Sequence, residues 1–439
     1  MFQTSVSDKC LKRLYVGFMT AKRLISPFEA TYFGTDTSIG SVPTAGMPLF
    51  FGSTVYGSLD VAVIQRVLDE LAAAHPLLRS RVVDGWFVRD DEFRPRLDIV
   101  EGGDDDYLAL INTPQEWTAG LFRAVLLREE ERQQLVLVVH HGISDGRSAF
   151  ALLNQFWARY TSYVTDSVVA QLDSRDELPL PMDQRLADVV SEVEADAWLT
   201  DFRTAAMNAT EAPRALMRDG AVGDARRFAL ERIELSVEHT AEVVKTARAQ
   251  GVSVNSVISG ATLAAVRTRI AEAGPLPLML GFAADVRGEC VPPEPVETMA
   301  NFASGAGVFA MVDGDMSPLD VAHQVEAGMR AIIANRDAAR FPLAIQRVKD
   351  APTLAMLSTS PSFALSNIGR VQPHSLPDDV AFLRTDIYAM GPQMPPKLTA
   401  FTIANRLTLQ LEYDTALYSR DQMGKLRRTL TELLSALAQ

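Results

Sequence analysis

An unbroken aliphatic run at residues 135–139 constrains the fold of this chain more than any other segment. Successive side chains of a strand point to opposite faces, so a strand made only of such residues must be covered on both faces. Strands of this kind lie inside sheets that carry other layers. A polar loop follows, and then Phe150, Leu153 and Trp157 fall at helical spacing. The segment therefore predicts strand, loop and helix within an α/β fold.

Similar patterns recur along the chain. Helical spacing predicts a helix that ends before His75-Pro76, and helices over residues 255–269 and 318–335. A last helix begins at Ser419, which forms a capping-box pattern with Gln422. Extended segments are predicted at residues 82–88, 121–127, 277–284, 363–367, 398–403 and 407–413. Each half of the chain mixes strands with helices, and two such halves facing each other would create a cleft.

The boundary between these halves is predicted from composition. Asp and Glu accumulate over residues 166–196, and Leu178-Pro179-Leu180-Pro181 interrupts any regular element. We therefore predict an N-terminal domain at residues 1–175, a linker at 176–200 and a C-terminal domain at 201–439. This division agrees with the two or three domains expected for 439 residues.

Charge and cysteine content exclude several classes of protein. The 42 basic and 55 acidic residues give a net charge of −13, without the basic clusters that bind nucleic acid or anionic lipid. Cys10 and Cys290 are too few for a disulfide framework or a four-cysteine zinc site. The apolar patch at residues 14–19 is too short for a secretion signal, and no stretch approaches the ~18 apolar residues of a membrane span. We expect a cytoplasmic, monomeric protein.

Only one neighbourhood combines histidines with a nearby acid. The buried strand runs directly into His140 and His141, and Asp145-Gly146 follows before the helix. An imidazole at a strand end in a cleft can act as a general base near neutral pH. Because adjacent strand side chains diverge, we predict that one histidine is the base and that the other packs or orients it.

Three roles are open for Asp145. It could belong to a Ser–His–Asp triad, although we expect no serine on a nucleophile elbow in this chain. It could join the two histidines in a metal site, which their divergent directions make geometrically awkward. It could also be structural, holding the loop through an ion pair or backbone N–H groups.

The motif His140-His141-x-x-x-Asp145-Gly146 resembles the signature of the chloramphenicol acetyltransferase-like superfamily. This superfamily includes condensation domains of nonribosomal peptide synthetases, plant BAHD acyltransferases and polyketide-associated acyltransferases of the phthiocerol dimycocerosyl transferase type. Further similar segments follow in the family's order: residues 23–29, the His75-Pro76 helix end at residues 71–81, the helix start at Ser253, Asp285-Val286-Arg287, Asn301 and Ser366-Asn367-Ile368-Gly369. The last of these favours the polyketide-associated branch, because the plant branch would carry Asp-Phe-Gly-Trp-Gly.

The resemblance implies two chloramphenicol acetyltransferase-like α/β domains in a V, with a tunnel between them. His141 would be the general base, and Asp145 would complete the catalytic motif from a structural position, paired with Arg287. His140 and Gly146 would be structural members of the motif. Ser366 and Asn367 are candidate oxyanion or substrate contacts. No metal and no cofactor is implied; the cofactor-binding residues are unknown, and coenzyme A or an acyl carrier protein enters as the donor substrate.

The activity implied is that of an O-acyltransferase, which moves an acyl group from a thioester to a hydroxyl of a polyketide, lipid or glycoside. Two alternatives remain open. One is a free-standing condensation-type enzyme that forms an amide, and the other is a non-catalytic module that uses the same fold to bind partners. An intact His141, Asp145 and Gly146 disfavours the binding module, because a scaffold has no physical need for the base.

Overall fold

The computed structural model describes residues 21–172, 176–223 and 227–437. Cys10 and the apolar patch at residues 14–19 lie outside the described residues. The same holds for the first residue of the predicted N-terminal domain and the last residue of the predicted C-terminal domain. The described chain contains strands and helices that alternate along most of its length. The predicted α/β class is therefore confirmed.

The elements are numbered in chain order. The strands are β1 (Lys22–Leu24), β2 (Ser38–Ile39), β3 (Val42–Pro43), β4 (Pro48–Tyr56), β5 (Ser80–Val83), β6 (Trp86–Arg89), β7 (Arg96–Glu101), β8 (Phe122–Glu129), β9 (Arg132–His140), β10 (Phe228–Glu234), β11 (Leu276–Asp285), β12 (Ala303–Val312), β13 (Phe363–Val371), β14 (Ala381–Tyr388), β15 (Lys397–Ile403) and β16 (Arg406–Asp414). The helices are α1 (Pro27–Phe33), α2 (Val61–Ala74), α3 (Asp104–Ile111), α4 (Gly146–Thr165), α5 (Met182–Ala187), α6 (Glu192–Asn208), α7 (Val237–Ala249), α8 (Val254–Arg267), α9 (Pro318–Ala334), α10 (Asp337–Ile345), α11 (Ala351–Leu357) and α12 (Arg420–Ala436).

The N-terminal sheet has the strand order β14-β4-β9-β8-β7. Strand β9, which contains the aliphatic run, lies in the middle and pairs antiparallel with β4 and β8. Residues 135–139 are fully buried, as their composition predicts. Helices α2 and α4 contact each other, and α4 also contacts β4. A central strand held by two neighbours gives the residues at its end a fixed position.

The C-terminal sheet has six strands in the order β10-β16-β15-β13-β11-β12. Strand β13 pairs in parallel with both β11 and β15. The pairs β11–β12, β15–β16 and β10–β16 are antiparallel. The apolar residues on one face of this sheet and those of helices α8 and α12 form a second core, whereas Ile368, Phe401 and Ile403 on the other face belong to the N-terminal core. Two separate cores agree with two α/β halves, and the V-shaped arrangement and the residue boundaries between the halves stay predictions.

One strand crosses from the C-terminal half to the N-terminal sheet. Strand β14 follows β13 in the sequence, yet it pairs antiparallel with β4 at the edge of the other sheet. Its Asp386 is fully buried and accepts hydrogen bonds from Arg232 Nε at 2.5 Å and from Gln134 Nε2 at 3.0 Å. Arg232 lies on β10 and Gln134 on β9, so this carboxylate joins three strands of two sheets.

Two predicted details of local structure are wrong. Residues 82–88 form a hairpin of β5 and β6, because Asp84 and Gly85 adopt positive φ values in a tight turn; an Asp-Gly pair is a sequence signal for such turns. The capping box of Ser419 is only half formed. The Ser419 hydroxyl accepts from the Gln422 N–H at 3.1 Å, but the Gln422 side chain donates to Asp219.

The predicted linker at residues 176–200 contains helix α5 and the first half of α6. Helix α6 contacts α10, so this segment packs against the second half of the chain. Within the residues that the structure describes, no helix is both long and apolar enough to cross a membrane.

We expect Asp386→Asn to destabilise the protein strongly. The change removes the carboxylate partner of Arg232 and leaves Arg384 with Asp104 alone, and breaking a buried pair costs roughly 3–5 kcal/mol. Asp104→Asn is the matched control, because Asp104 also pairs with Arg384 but is 52% exposed, and exposed pairs contribute at most about 1 kcal/mol. Urea unfolding of both variants would measure this. Equal losses of stability would contradict the role given to Asp386.

Candidate active site

The histidine motif lies where the central strand β9 ends. His140 is the last residue of the strand and pairs with Pro48 of β4. His141 begins a 3₁₀ turn, His141–Ile143, and Asp145 is the N-cap of helix α4. Strand, turn and helix therefore succeed one another as the sequence predicts, and the change from strand to turn separates the directions of the two imidazoles.

His140 is the packing histidine. It is 1% exposed and stacks on Phe33, with ring centroids 4.0 Å apart and planes inclined by 6°. The edge of Trp117 closes the other side, at 5.0 Å. Its Nδ1 accepts the Gly142 N–H at 3.1 Å, which shapes the turn. Burial lowers the pKa of His140 to about 3, so this ring is neutral at physiological pH.

His141 is held in place by hydrogen bonds of its own backbone. Its N–H donates to the Met47 carbonyl at 2.9 Å, and its carbonyl accepts from Asn301 Nδ2 at 3.0 Å. The Tyr32 ring lies 5.4 Å from the imidazole. Nδ1 has no hydrogen-bond partner among the described residues. A ring held this way has a set position and a nitrogen that is not committed to a protein acceptor.

The charge state of His141 follows from its surroundings. Burial lowers its pKa most, and the ammonium of Lys397 acts in the same direction. Hydrogen bonds with the backbone of His141 and Ser144 and the carboxylate of Asp145 oppose them. The net pKa lies below the ordinary value of 6.5. The imidazole is therefore neutral near pH 7, which is the form that accepts a proton.

Every hydrogen bond of the Asp145 carboxylate serves the structure. Oδ1 accepts the N–H groups of Arg147 at 2.9 Å and Ser148 at 3.1 Å, which caps helix α4. Oδ2 accepts the Phe302 N–H at 2.8 Å and lies 2.8 Å from Arg287 Nη2. Both members of the Asp145–Arg287 pair are buried, as the resemblance implies.

These bonds determine the charge of Asp145. Burial by itself would raise its pKa, but the charge and hydrogen bond of Arg287 and the N–H groups of Phe302 and Ser148 hold that pKa below its ordinary value. The carboxylate is thus ionised and committed. Of the three roles considered, the geometry matches the structural one.

The position of Ser144 does not support a Ser–His–Asp triad that includes Asp145. Residues 142–146, Gly-Ile-Ser-Asp-Gly, do have the spacing of a nucleophile elbow, so the expectation that the chain contains none is wrong. Ser144, however, is fully buried, and its hydroxyl lies 3.1 Å from Ser148 Oγ. An elbow serine must present its hydroxyl to a substrate, and this one does not. Within the described ranges, no three His, Cys, Asp or Glu side chains are grouped as metal ligands.

Gly146 lies where helix α4 meets strand β13. A Cβ at this position would come within 3.1 Å of two side-chain carbons of Ile368. A larger residue would therefore push β13 away from the motif, which explains why glycine suits this place.

The two candidate oxyanion residues lie on opposite faces of β13. Ser366 pairs with Thr399 of β15 and shares its face. Asn367 points the other way and is committed, because its Nδ2 donates to Asn255 at 2.9 Å and its Oδ1 accepts the Gly369 N–H. The structure therefore does not bring these two residues together, and Ser366 remains the candidate on the polar face.

A cavity of about 420 Å³ opens beside the motif. Apolar residues such as Phe282, Ile332 and Leu365 form much of its wall. Arg147 lies at its edge in an ion pair with Asp285, at 2.9 Å. Strands β11 and β13 pair only over three residues, and the cavity occupies the space where they diverge. Its wall also carries the charged side chains of Asp285, Glu289 and Arg336.

Sequence reasoning missed two side chains near His141. Tyr32 was not considered, although the N-cap and proline of helix α1 signal a fixed helix there. Lys397 was not considered either, and a lysine at the start of an otherwise buried strand is a visible signal of an internal charge.

We expect Asp145→Ala and Arg287→Ala each to cost up to roughly 3–5 kcal/mol. Arg287→Ala leaves the buried Asp145 carboxylate without its cation, and Asp145→Ala removes the cap of α4 and leaves Arg287 with Asp285 as its remaining carboxylate, 3.1 Å away. The double variant should lose less than the sum, since the second change removes a charge already unpaired. Arg147→Ala, which breaks the half-exposed pair with Asp285, is the control and should cost at most about 1 kcal/mol. Denaturant unfolding checks this cycle; strict additivity would contradict the pairing as the source of the stability.

Comparisons with known proteins agree with the resemblance. Residues 224–412 match the family model "Phthiocerol/phthiodiolone dimycocerosyl transferase C-terminus". The phthiocerol/phthiodiolone dimycocerosyl transferase of Mycobacterium leprae is 25% identical over 292 residues, which are 64% of this chain and 68% of that protein. These names are those of transferases, in agreement with the prediction of an acyltransferase enzyme.

Solved structures share the fold. Polyketide synthase associated protein 5 from Mycobacterium tuberculosis has a TM-score of 0.68 and 18% identity, covering 94% of this chain and 98% of its own. The trichothecene 15-O-acetyltransferase from Fusarium sporotrichioides has a TM-score of 0.73 and 12% identity, covering 95% of each chain. The predicted resemblance is confirmed: in sequence the chain is similar to the phthiocerol dimycocerosyl transferase-like branch, and it has the fold of the chloramphenicol acetyltransferase-like superfamily.

Proposed function

We propose that this chain is an O-acyltransferase that moves an acyl group from a coenzyme A or carrier-protein thioester to a hydroxyl of a lipid, polyketide or glycoside. The observation that carries the proposal is His141, a neutral imidazole fixed through its own backbone and bearing a nitrogen without a protein partner. The names of the relatives, a dimycocerosyl transferase and an O-acetyltransferase, support the same reaction class.

In the proposed reaction His141 acts first as a base. It takes the proton of the acceptor hydroxyl while that oxygen attacks the thioester carbonyl. Negative charge then develops on the carbonyl oxygen, and a donor on the polar face of β13, for which Ser366 is the candidate, would stabilise it. When the tetrahedral intermediate collapses, the C–S bond breaks and His141 returns its proton to the thiolate. The acyl group ends as an ester, and the free thiol leaves.

The proposed reaction gives Asp145 no proton to move. Its four hydrogen-bond partners leave it no free geometry toward His141, and its role is to hold the turn and helix that follow the base. The cavity lined by Leu365 and Ile368 would take the acyl chain or the arm of the donor, because the apolar part of its wall suits a long flexible group.

The choice among the three functions can be tested by following thiol release. The protein is incubated with acetyl- and longer acyl-coenzyme A and with carrier-linked acyl groups, each with an alcohol or an amine as acceptor. Ester formation supports the proposal, and amide formation would support the condensation-type alternative. Absence of thiol release with every donor and acceptor would favour the binding module.

We expect His141→Ala to lower kcat/KM by ~10²–10⁴-fold, the usual cost of losing a general base. Stability should change little, because Nδ1 of the imidazole has no hydrogen-bond partner among the described residues. His239→Ala, at an exposed position, is the control and should leave both properties unchanged. Full activity of the His141→Ala enzyme with purified donor and acceptor would show that another group is the base.

We expect kcat/KM to rise with pH along a single acidic limb and then stay level. Only the neutral imidazole accepts the proton, so protonation of His141 as the pH falls removes activity. Because burial and Lys397 lower the pKa of His141, the midpoint should lie below 6.5. Rates measured between pH 5 and 9 check this, and a midpoint clearly above 6.5 would contradict the environment described for His141.

A further inference from the structure

Asn301 is a buried side chain from the second half of the chain that contacts the proposed base. It lies two residues before strand β12 and is 5% exposed. Its Nδ2 donates to the His141 carbonyl at 3.0 Å, and its Oδ1 accepts the Ala303 N–H at 2.9 Å. Because a carbonyl only accepts and an N–H only donates, these two neighbours determine which way the amide is turned. Both ends of the amide are therefore committed to the backbone.

The bond from Asn301 holds one of the two peptide planes that flank the Cα atom of His141. A residue has only two soft backbone dihedral angles, so the direction of its side chain is set when both planes are held. The plane before His141 is held by its N–H, which donates to the Met47 carbonyl at 2.9 Å. The plane after it carries the carbonyl that accepts from Asn301. That carbonyl also accepts the Ser144 N–H, but at 3.4 Å, outside the usual range of about 2.7–3.2 Å, so Asn301 is its closer partner.

The residues on either side of Asn301 bind the ion pair of the motif. The Ala300 carbonyl accepts from Arg287 Nη2 at 3.1 Å, and the Phe302 N–H donates to Asp145 Oδ2 at 2.8 Å. These two bonds fasten the segment to the start of helix α4, which Asp145 caps. Neither of them involves the proposed base, whereas the bond from Asn301 does.

The two partners of the His141 backbone come from different sheets. Met47 directly precedes β4 of the N-terminal sheet, and Asn301 lies just before β12 of the C-terminal sheet. One sheet alone therefore holds only one of the two planes. The direction of the imidazole is set when both sheets are in place.

We propose that Asn301 is a positioning residue for His141, whose amide holds the peptide plane that directs the imidazole toward the reacting groups. A general base works within hydrogen-bond reach of the proton that it takes, and a displacement of about 1 Å can cost ~10²-fold in rate. Asn301 acts through the main chain and does not touch the ring or the substrate. The catalytic meaning of this inference rests on the function proposed above, but the effect on the geometry of His141 does not.

The sequence provides a reporter for the carbonyl that Asn301 binds. Of the six histidines, only His141 is followed by glycine. The full chain, labelled with ¹³C at the histidine carbonyls and ¹⁵N at the glycine amides, therefore gives a single cross-peak in an NMR spectrum that correlates each carbonyl with the next amide. This peak belongs to the His141 carbonyl and the Gly142 N–H. Both chemical shifts respond to hydrogen bonding of the carbonyl, and the measurement needs no substrate.

The main variant is Asn301→Ser, which removes the donor and keeps the local turn. A serine hydroxyl can accept the N–H two residues on, as Asn301 does with Ala303, but it is too short to reach the His141 carbonyl. We expect the cross-peak to move, and kcat to fall about 10- to 100-fold while KM stays close to the wild-type value. Asn301→Leu removes both bonds at similar size and should move the peak at least as far.

Asn112→Leu is the matched control, because Asn112 also joins the two halves through its amide. Its Nδ2 donates to the Phe228 carbonyl at 2.9 Å, and its Oδ1 accepts the Phe228 N–H at 2.7 Å. The control loses a comparable bridge to β10 instead of the bond to the motif, so it should lower stability but leave the cross-peak and kcat unchanged. A peak that stays in place in both Asn301 variants would overturn the proposal, and so would an equal shift in Asn112→Leu.

The spectrum and the kinetics separate this inference from the proposed function. If the peak moves in Asn301→Ser and no acyl transfer is found with any donor, the effect of Asn301 on His141 stands and the proposed function fails. If transfer is found and Asn301→Ser keeps the wild-type kcat, the proposed function stands and Asn301 is not a positioning residue.

Discussion

The buried ion pair between Asp145 and Arg287 is the interaction on which the geometry of the site depends. One carboxylate oxygen caps helix α4, and the other binds Arg287 and the Phe302 N–H from the second half of the chain. The start of helix α4, Arg287 and Phe302, the residue before β12, are thus joined by a single side chain. An unpaired charge at such a place would be too costly to keep, so the site exists only when both halves are assembled.

A second set of contacts ties the halves together away from the motif. Strand β14 joins the N-terminal sheet, and its backbone also contacts the polar face of β16. The side chain of Gln410 accepts the Ile387 N–H at 3.0 Å. Asp386 adds its bonds to β9 and β10. This explains why the polar residues that alternate along β16 are buried. They do not face solvent, as alternation in an antiparallel strand usually indicates, but a second protein layer.

The two adjacent histidines divide packing and chemistry between them. His140 lies within aromatic rings and accepts a hydrogen bond that bends the chain, which places His141 outside the strand. His141 is then held by Met47 and Asn301 through its backbone alone. A base that is held through its main chain keeps its imidazole available for proton exchange. Burial and the surrounding charges determine the protonation state of that imidazole.

The sequence by itself determined the local features. The aliphatic run of β9, the helix that starts at Gly146 and the order of His140, His141 and Asp145 follow from periodicity, capping and spacing, which act over a few residues. The resemblance of the motif to a known family also implied that Arg287 is the partner of Asp145, which the spacing of residues alone does not show.

Only the tertiary structure decided the rest. It placed Ser366 and Asn367 on opposite faces, since strand geometry and the Asn255 contact are set by neighbouring elements. It also placed β14 in the other sheet and buried Lys397 against the Ala389 carbonyl. These features depend on pairing between distant segments, and such pairing is chosen by burial and hydrogen-bond satisfaction across the whole fold, not by the pattern of any one segment.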